Sequence, residues 1–234
     1  MSNSDVKTAE MLKSGVHFGY SRSSRHPKMK PFIFTTRNSV EIFDLEKVLA
    51  RLDAAKEFLK NLGKEKKIVV FVATKKGIRE IVESAAKEIS MPYVKERWLG
   101  GTLTNFKEIK SRIDFLNDLL KKRESKELEK YTKKERLQID RKIAKLEKYL
   151  SGLKQCAEKP AAMITVDSAH EKIAIEEARQ RGVVTIVLMN SDCDPEDADF
   201  SIPGNDSSIS SVSFFIKELV NAYKEGLAAS QQEK

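Results

Sequence analysis

The 234-residue chain carries 43 Lys and Arg against 35 Asp and Glu, a formal net charge of +8, and 40% of its residues are hydrophobic. No apolar run approaches the roughly 20 residues that a membrane-spanning helix needs, and the first residues lack a signal-peptide pattern, so we expect no membrane partner. The two cysteines, Cys156 and Cys193, form no CxxC motif, which argues for a reducing compartment and against a zinc knuckle.

Charge is distributed unevenly along the chain. Residues 1–40 hold 7 Lys and Arg against 2 Asp and Glu, residues 107–154 hold 16 against 9, and residues 155–234 hold 7 against 14. Two basic regions beside an acidic one are typical of a protein that binds a polyanion, such as nucleic acid, with part of its surface. For residues 107–154 the alternative is that Lys-rich helices are simply solvated.

A basic segment follows the first predicted helix, Thr8–Ser14, which ends at Gly15. Gly, Pro and Ser interrupt both the helical and the strand period over residues 16–31, so we predict a loop there. Basic and aromatic side chains are interleaved in it: His17, Phe18, Tyr20, Arg22, Arg25, His26, Lys28 and Lys30. Such residues can neutralise phosphates and stack on unpaired bases. The alternative is an exposed loop whose aromatic residues pack into the core.

Strands and helices alternate through the rest of the chain, apart from one long polar stretch. Before the polar stretch we predict a hairpin of strands 32–37 and 40–43, a helix from its cap at Asp44 to Gly63, a strand 67–73, a helix 75–90 capped by Thr74 and a strand 91–95. After it we predict a strand 161–167, a helix 169–181 ended by Gly182, a strand 183–189, an edge strand 200–202 and a last helix to about 229. The apolar runs 67–73 and 183–189 are continuous rather than alternating, which indicates burial on both faces of a parallel sheet.

This alternation predicts an α/β fold: a three-layer Rossmann-like (flavodoxin-like) parallel sheet with an inserted antiparallel coiled-coil helical hairpin. The hairpin is predicted because apolar residues recur three and four apart, as in a heptad seam, in two runs: 106–120 and 139–153. The predicted domains are residues 1–103 and 155–229 for the α/β domain with its basic N-terminal extension, 104–154 for the hairpin and 230–234 for a flexible tail.

The domain and the hairpin meet at the decapeptide Arg97-Trp-Leu-Gly-Gly-Thr-Leu-Thr-Asn-Phe106, here called the joint. Its Gly100-Gly101 pair permits backbone angles that other residues avoid. Thr102 and Thr104 are both candidate N-caps for the first helix of the hairpin. We expect the joint to be fixed by something outside the hairpin.

A Rossmann-like order invites an enzyme, but the chain lacks the motifs of one. The turn after strand 67–73 has a single glycine, where a dinucleotide site needs several, and no GxxxxGK[ST] loop or HExxH motif occurs. Lys75 and Lys76, at a predicted helix N-terminus, can hold a phosphate that belongs to RNA or to a small molecule. We expect no catalytic residues and no cofactor; an enzyme that binds a phosphorylated small molecule at these lysines is the alternative.

An acidic loop, residues 192–199, is the one stretch that looks like a cation site, because hard cations prefer clustered oxygen ligands. Pro195 interrupts it, however, and the glycine and distal Glu of an EF-hand are missing. We expect no bound metal there, but rather a solvated acidic turn or a protein-binding surface.

Several motifs together resemble one known family, and they are spread over nearly the whole chain: Gly15-Val-His-Phe-Gly19, His26-Pro-Lys-Met29, Arg37-Asn38, Ile42-Phe-Asp-Leu45, the joint and Ile202-Pro-Gly-Asn-Asp206. The chain resembles the family of small ribosomal subunit protein number two. Tyr20, where the family pattern has a His, and Asn190-Ser-Asp-Cys-Asp-Pro195 are mild departures from it.

The resemblance implies a structural constituent of the small (30S) ribosomal subunit, with no catalytic role. It implies binding to 16S-type ribosomal RNA near the junction of head and body, and docking of small-subunit protein number one, which helps capture messenger RNA. We expect the acidic C-terminal third to face that protein, with the N-terminal helix as the alternative. The resemblance also places the chain on cytoplasmic ribosomes or in an organellar stroma or matrix.

The predicted ribosomal RNA ligands are the basic and polar residues of the N-terminal segment, the turn after the first buried strand, the joint and the hairpin. They are Arg22, Arg25, His26, Lys28, Lys30, Arg37, Lys75, Lys76, Arg97, Thr102, Thr104, Asn105, Lys107, Lys110, Arg112, Lys121, Lys122 and Arg123. Contacts of this kind are made to the RNA backbone and read shape more than sequence. A coiled-coil adaptor with no RNA role would leave the basic N-terminal segment unexplained.

Overall fold

Seven α-helices and eight strands lie in the part of the chain that the computed structural model describes, residues 3–125, 127–154, 156 and 158–232. They are α1 (Asn3–Lys13), β1 (Phe18–Ser21), β2 (Ile33–Arg37), β3 (Val40–Phe43), α2 (Leu45–Lys64), β4 (Val69–Val72), α3 (Arg79–Glu88), β5 (Tyr93–Val94), α4 (Phe106–Glu124), α5 (Lys133–Leu150), β6 (Ala162–Val166), α6 (Lys172–Arg181), β7 (Val184–Met189), β8 (Phe200–Pro203) and α7 (Ile209–Gln232). Within these residues, no helix has both the length and the apolar character needed to cross a bilayer.

Strands β4 to β8 form one parallel sheet in the order β5-β4-β6-β7-β8. Counted from the first of these strands, this is the 2-1-3-4-5 order of flavodoxin-like folds. Every residue of β4 and β6 is buried, which is the reason that their sequences are continuous apolar runs. The predicted α/β fold is confirmed, and β8 lies at an edge of the sheet as predicted.

Helices cover both faces of this sheet. On one face, Phe71 and Ile164 belong to a buried cluster with residues of α2, α3 and α7. On the other face, Val70 belongs to a cluster that includes residues of α6, Trp98 of the joint and Ile109 of α4. The root of the hairpin therefore belongs to the same apolar cluster as the sheet. The domain boundaries at 103/104 and 154/155 stay predictions.

Helices α2 and α7 cross at close range, and two glycines make this possible. A Cβ on Gly63 would overlap the backbone oxygen of Tyr223, and a Cβ on Gly226 would overlap that of Lys60. The prediction that Gly63 ends its helix is wrong, because α2 continues to Lys64. Helix α7 includes residues 230–232 of the predicted tail, and residues 233 and 234 lie outside the described residues.

A second, antiparallel sheet has the strand order β1-β3-β2. Strands β2 and β3 form the predicted hairpin, and its turn residues Asn38 and Ser39 have φ values of 48° and 65°. Strand β1 lies within residues 16–31, where a loop was predicted, and Phe18 pairs with Ile42 of β3. The loop prediction is wrong because β1 is an irregular edge strand of four residues, which is too short to show a hydrophobic period.

The hairpin region contains two helices, α4 and α5, joined through a 3₁₀ turn at Glu127–Lys130. Most of their buried residues lie on the predicted apolar seam, including Ile113 and Leu116 of α4 and Ile143 of α5. Leu119 is buried where the seam was predicted to have Leu120. Helix α5 begins with a capping box between Thr132 and Glu135. The coiled-coil supercoil of this pair stays a prediction.

Candidate nucleic-acid interface

One buried carboxylate from outside the hairpin holds the joint. Glu177 of α6 accepts hydrogen bonds from five donor atoms: Trp98 Nε1 at 3.1 Å, Gly101 N at 2.7 Å, Leu103 N at 3.0 Å, and Thr104 N and Oγ1, each at 3.1 Å. Residues 97–105 of the joint form no regular helix or strand, so their amides depend on such a partner. Glu177 was not predicted, since α6 is separated from the joint by the whole hairpin in the sequence.

The surroundings of Glu177 favour its ionised form. Burial alone would raise the pKa of this carboxyl, but hydrogen bonds from the amides of Thr104, Gly101 and Leu103 and from Trp98 outweigh it and lower the pKa. The backbone at Gly101 has φ +92°, a conformation that favours glycine and helps to turn the amides toward one point. The joint is therefore built around an anion that belongs to the protein itself.

The two threonines of the joint are used internally. Thr102 is buried, and its hydroxyl donates to Leu99 O at 2.6 Å. The Thr104 hydroxyl donates to Glu177. Neither caps α4, whose N-cap residue is Asn105 and has no side-chain capping bond. The N-cap prediction for both threonines is wrong, and both are committed to contacts within the protein.

The N-terminal basic segment, defined here as residues 16–31, is held by carboxylates. Arg25 Nη1 lies 2.8 Å from Glu41 Oε1, and the Glu41 side chain is 0% exposed. The other carboxylate oxygen of Glu41 is buried with no hydrogen-bond partner. Arg25 is thus the counter-ion of a buried acid, a contact that the sequence prediction of an RNA ligand did not foresee.

The acidic loop, residues 192–199, contributes the second anchor of this segment. Lys28 Nζ lies 2.9 Å from Asp194 Oδ2 and also contacts Glu196. The backbone amide of His26 donates to Ser191 O at 2.8 Å. The Glu196 amide and Lys28 together lower the pKa of Asp194. The loop therefore binds the chain's own basic segment, which neither the solvated-turn nor the cation-site interpretation anticipated.

Lys75 fills the crevice at the carboxyl ends of the parallel strands, where flavodoxin-like folds bind ligands. Its Nζ lies 2.9 Å from Asp206 and 3.4 Å from Asp167, and Asp206 is 0% exposed. Burial would raise the pKa of Asp206, but Asn190 and Lys75 outweigh it and lower that pKa. Within the described residues, no group of three or more His, Cys, Asp and Glu is arranged to hold a metal.

The helix predicted to begin at Lys75 begins only at Arg79. Thr74 does not cap it, because its amide and hydroxyl both donate to Glu171 Oε1 at 2.7 Å. The helix N-terminus is therefore displaced from Lys75, and phosphate binding by Lys75 and Lys76 stays a prediction. Lys76 remains exposed.

A set of predicted ligands remains available to a partner. Their side chains are exposed and form no ion pair or hydrogen bond with any other described residue: Arg22, Lys30, Arg37, Lys76, Arg97, Asn105, Lys107, Lys110, Lys121 and Arg123. Arg112 and Lys122 form exposed pairs with Glu108 and Asp118 one helical turn away. Such pairs contribute little to stability and exchange readily for phosphate. Five of these nine cations lie on the joint and the hairpin, and the other four are Arg22, Lys30, Arg37 and Lys76.

An apolar groove lies beside α1 and the small sheet. Its cavity volume is about 400 Å³, and its lining includes Leu12, His17, Phe34 and Ile42. Phe34 is 75% exposed and Leu12 is 50% exposed. Exposed apolar residues of this size, grouped in one groove, are typical of a protein-binding surface.

Comparison with known proteins gives a consistent result over almost the whole chain. Residues 11–226 match the profile of the family described as Ribosomal protein S2. A small ribosomal subunit protein uS2 of Wolinella succinogenes is 41% identical over 98% of this chain and 84% of its own length. The protein of the same name from Aliarcobacter butzleri is 42% identical over 97% and 86%, and that from Bdellovibrio bacteriovorus is 40% identical over 94% and 71%.

Proposed function

The chain belongs to the ribosomal protein S2 family, and from this membership we propose that it is a structural constituent of the small ribosomal subunit that binds 16S-type ribosomal RNA near the head–body junction. We propose no catalytic role, no cofactor and no small-molecule substrate. The working place is the cytoplasmic ribosome; a ribosome in an organelle is the alternative.

The unpaired cations of the joint and hairpin carry the RNA-binding proposal. Arg97, Lys107, Lys110, Lys121 and Arg123 are exposed and have no carboxylate partner among the described residues. Cations of this kind bind phosphates and release counter-ions, which makes the binding dependent on salt. The hairpin thus supplies a positively charged surface whose charge the fold has not already neutralised.

The groove beside α1 supports a second contact, the docking of small-subunit protein number one. The acidic third of the chain is a weaker candidate, because Asp194 and Glu196 already bind Lys28. Phe34, by contrast, is 75% exposed and has an adjoining apolar cavity. Phe34→Asp is expected to prevent retention of that protein on small subunits while leaving this chain bound.

Sedimentation of the tagged protein from lysate tests the proposed function most directly. We expect it to migrate with small subunits that contain 16S-type RNA at low salt, and to dissociate progressively at high salt. A protein that stays at the top of the gradient at low salt would contradict the proposal. The alternative of a small-molecule enzyme at Lys75 is disfavoured, because that lysine is bound to Asp206; a phosphorylated ligand that stabilises the free protein would revive it.

A further inference from the structure

A cavity lies where the joint meets the two helices of the hairpin. Its volume is about 340 Å³, within the range of roughly 300–1,000 Å³ that small ligands occupy. The joint contributes Arg97 and Leu99, and α4 contributes Arg112. Helix α5 contributes Lys145, Leu146, Tyr149 and Leu150. The cavity is therefore assembled from three segments: the joint, α4 and α5.

The lining of this cavity combines positive charge with an apolar floor. It contains no carboxylate, whereas each of four other cavities of similar volume in the described part of the chain includes at least one. Arg97 and Lys145 form no ion pair with another described residue. Arg112 is paired with Glu108 at 3.3 Å, and both side chains are more than half exposed. The matching ligand is an anion with a flat or apolar body.

Tyr149 supplies an aromatic surface at this site. It is half-buried, and its hydroxyl has no hydrogen-bond partner among the described residues. Leu146 and Leu150 line the same cavity. Proteins recognise unpaired RNA bases by stacking them on aromatic rings and by pairing the adjoining phosphates with cations.

We propose that this cavity receives one unstacked nucleotide of the ribosomal RNA, with its base against Tyr149 and Leu146 and its phosphates near Arg97, Arg112 and Lys145. The inference rests on the proposed function and adds to it a single-nucleotide contact at the root of the hairpin. It differs from the backbone contacts expected along the hairpin, because a base is bound here as well as phosphates.

Ultraviolet crosslinking in intact small subunits tests this assignment. Trypsin cleaves after Lys148 and Lys154, so Tyr149 falls in the short peptide 149–154. We expect one nucleotide adduct on this peptide in subunits that contain the wild-type chain. If the chain sediments with subunits but peptide 149–154 has no adduct, the inference is overturned and the proposed function stands. If the chain does not join subunits at all, both fail.

Matched variants separate stacking from general charge. Tyr149→Leu should bind subunits depleted of this protein about 10-fold more weakly than the wild-type chain, since one base stack is lost. Tyr149→Phe should bind as the wild-type chain does, because it keeps the aromatic ring. Tyr131→Leu is the control: Tyr131 lies outside the cavity and, like Tyr149, has a lysine beside its ring, Lys130 at 5.6 Å against Lys148 at 5.9 Å. Equal effects of the Tyr131 and Tyr149 changes would overturn the assignment.

A pair of lysine variants tests whether the cations that line the cavity contribute to nucleotide binding. Lys145→Ala should reduce the yield of the adduct on peptide 149–154, whereas Lys142→Ala should not, because Lys142 lies on the same helix over the Phe115 ring, 4.6 Å from its centroid. Adenosine monophosphate is the probe that tests whether the cavity binds free nucleotides rather than a nucleotide of the ribosomal RNA. If it raises the Tm of the free protein in a Tyr149-dependent way and peptide 149–154 carries no adduct in subunits, the site takes free nucleotides and the assignment to ribosomal RNA is wrong.

Discussion

The N-terminal basic segment and the hairpin are both rich in Lys and Arg, but the fold uses the two sets of charges differently. In the segment, Arg25 neutralises the buried Glu41 and Lys28 neutralises Asp194, whereas Arg22 and Lys30 have no partner among the described residues. In the hairpin, residues such as Lys121 have no partner among the described residues, and the ion pairs within its helices link exposed residues one turn apart. A basic residue is available as a phosphate ligand where folding leaves its charge unpaired or pairs it only with an exposed carboxylate.

The two sets differ because of burial. A carboxylate that loses its water needs a counter-ion, and the cost of leaving it alone exceeds the gain of almost any surface contact. Glu41 is fully buried, so Arg25 is committed to it. The hairpin helices bury only a narrow seam, so most of their charged residues remain in water, where an ion pair gains little.

The largest effect is expected at Arg25. Arg25→Ala should lower the free energy of unfolding by about 3–5 kcal/mol, because Glu41 is then buried without a counter-ion. Urea unfolding of the purified protein measures this, with Arg22→Ala as the matched control, since Arg22 is exposed and unpaired and should change stability by less than about 0.5 kcal/mol. Equal stabilities for the two variants would show that Arg25 is free for RNA. Adding Glu41→Leu to Arg25→Ala should recover much of the loss.

The next largest effect concerns Glu177, whose contacts fix the root of the hairpin. Glu177→Gln should lower the free energy of unfolding by about 2–4 kcal/mol, because one carboxylate oxygen that accepts several bonds is replaced by a donor. Glu176→Gln is the control: Glu176 is exposed, and its one partner among the described residues is Lys172 at 3.9 Å. Hydrogen exchange at the amides of Gly101, Leu103 and Thr104 should accelerate in the first variant alone.

Glu177 also predicts a dependence on pH. Its folded-state pKa lies below the ordinary value of 4.5, so its contribution is present above the unfolded-state pKa and is lost as the pH falls through the folded-state pKa. The wild-type protein should lose stability below about pH 4.5 more steeply than Glu177→Gln. Parallel curves for the two proteins, measured by urea unfolding at a series of pH values, would contradict an ionised Glu177 in the joint.

A smaller effect is expected at Lys28. Its ion pairs are with Asp194 and Glu196, and all three side chains are partly exposed. Lys28→Ala should therefore give a small loss of stability that disappears at high salt, because exposed ion pairs are screened. Thermal melts at low and high salt, with Lys30→Ala as control, measure it. A loss of stability that persists at high salt would contradict the interpretation of the Lys28 contacts with Asp194 and Glu196 as exposed ion pairs.

The sequence predicts the parts of the fold that depend on local patterns. The continuous apolar runs correctly predict parallel strands, and the order of strands and helices correctly predicts the three-layer α/β fold. Gly182 was predicted to end its helix, and it does so in a left-handed conformation at φ +61°. Each strand and the helix end at Gly182 are determined by residues close together in the chain, and the fold follows from the order of these elements.

Contacts between distant residues could not be predicted in the same way. Lys28 and Asp194 are 166 positions apart, and Trp98 and Glu177 are 79 apart. Composition indicated that the C-terminal third is acidic, but it could not tell which carboxylates bind the chain's own cations. For this reason the predicted RNA ligands included Arg25, which is a counter-ion, alongside others that are free.

The smallest effect on stability, and a distinct effect on RNA, is expected at the hairpin cations. Lys121→Ala should leave the free energy of unfolding within about 0.5 kcal/mol of the wild-type value, because no contact within the protein is lost. Its binding to ribosomal RNA should weaken, and the slope of log K against log salt should become shallower by about 0.7–0.9, the contribution of one phosphate contact. Lys28→Ala should do the reverse, with lower stability and an unchanged slope, since that charge is already neutralised by Asp194. If both variants reduce the slope equally, Lys28 exchanges its carboxylate partners for phosphate on binding, and RNA then releases the acidic loop from the N-terminal basic segment.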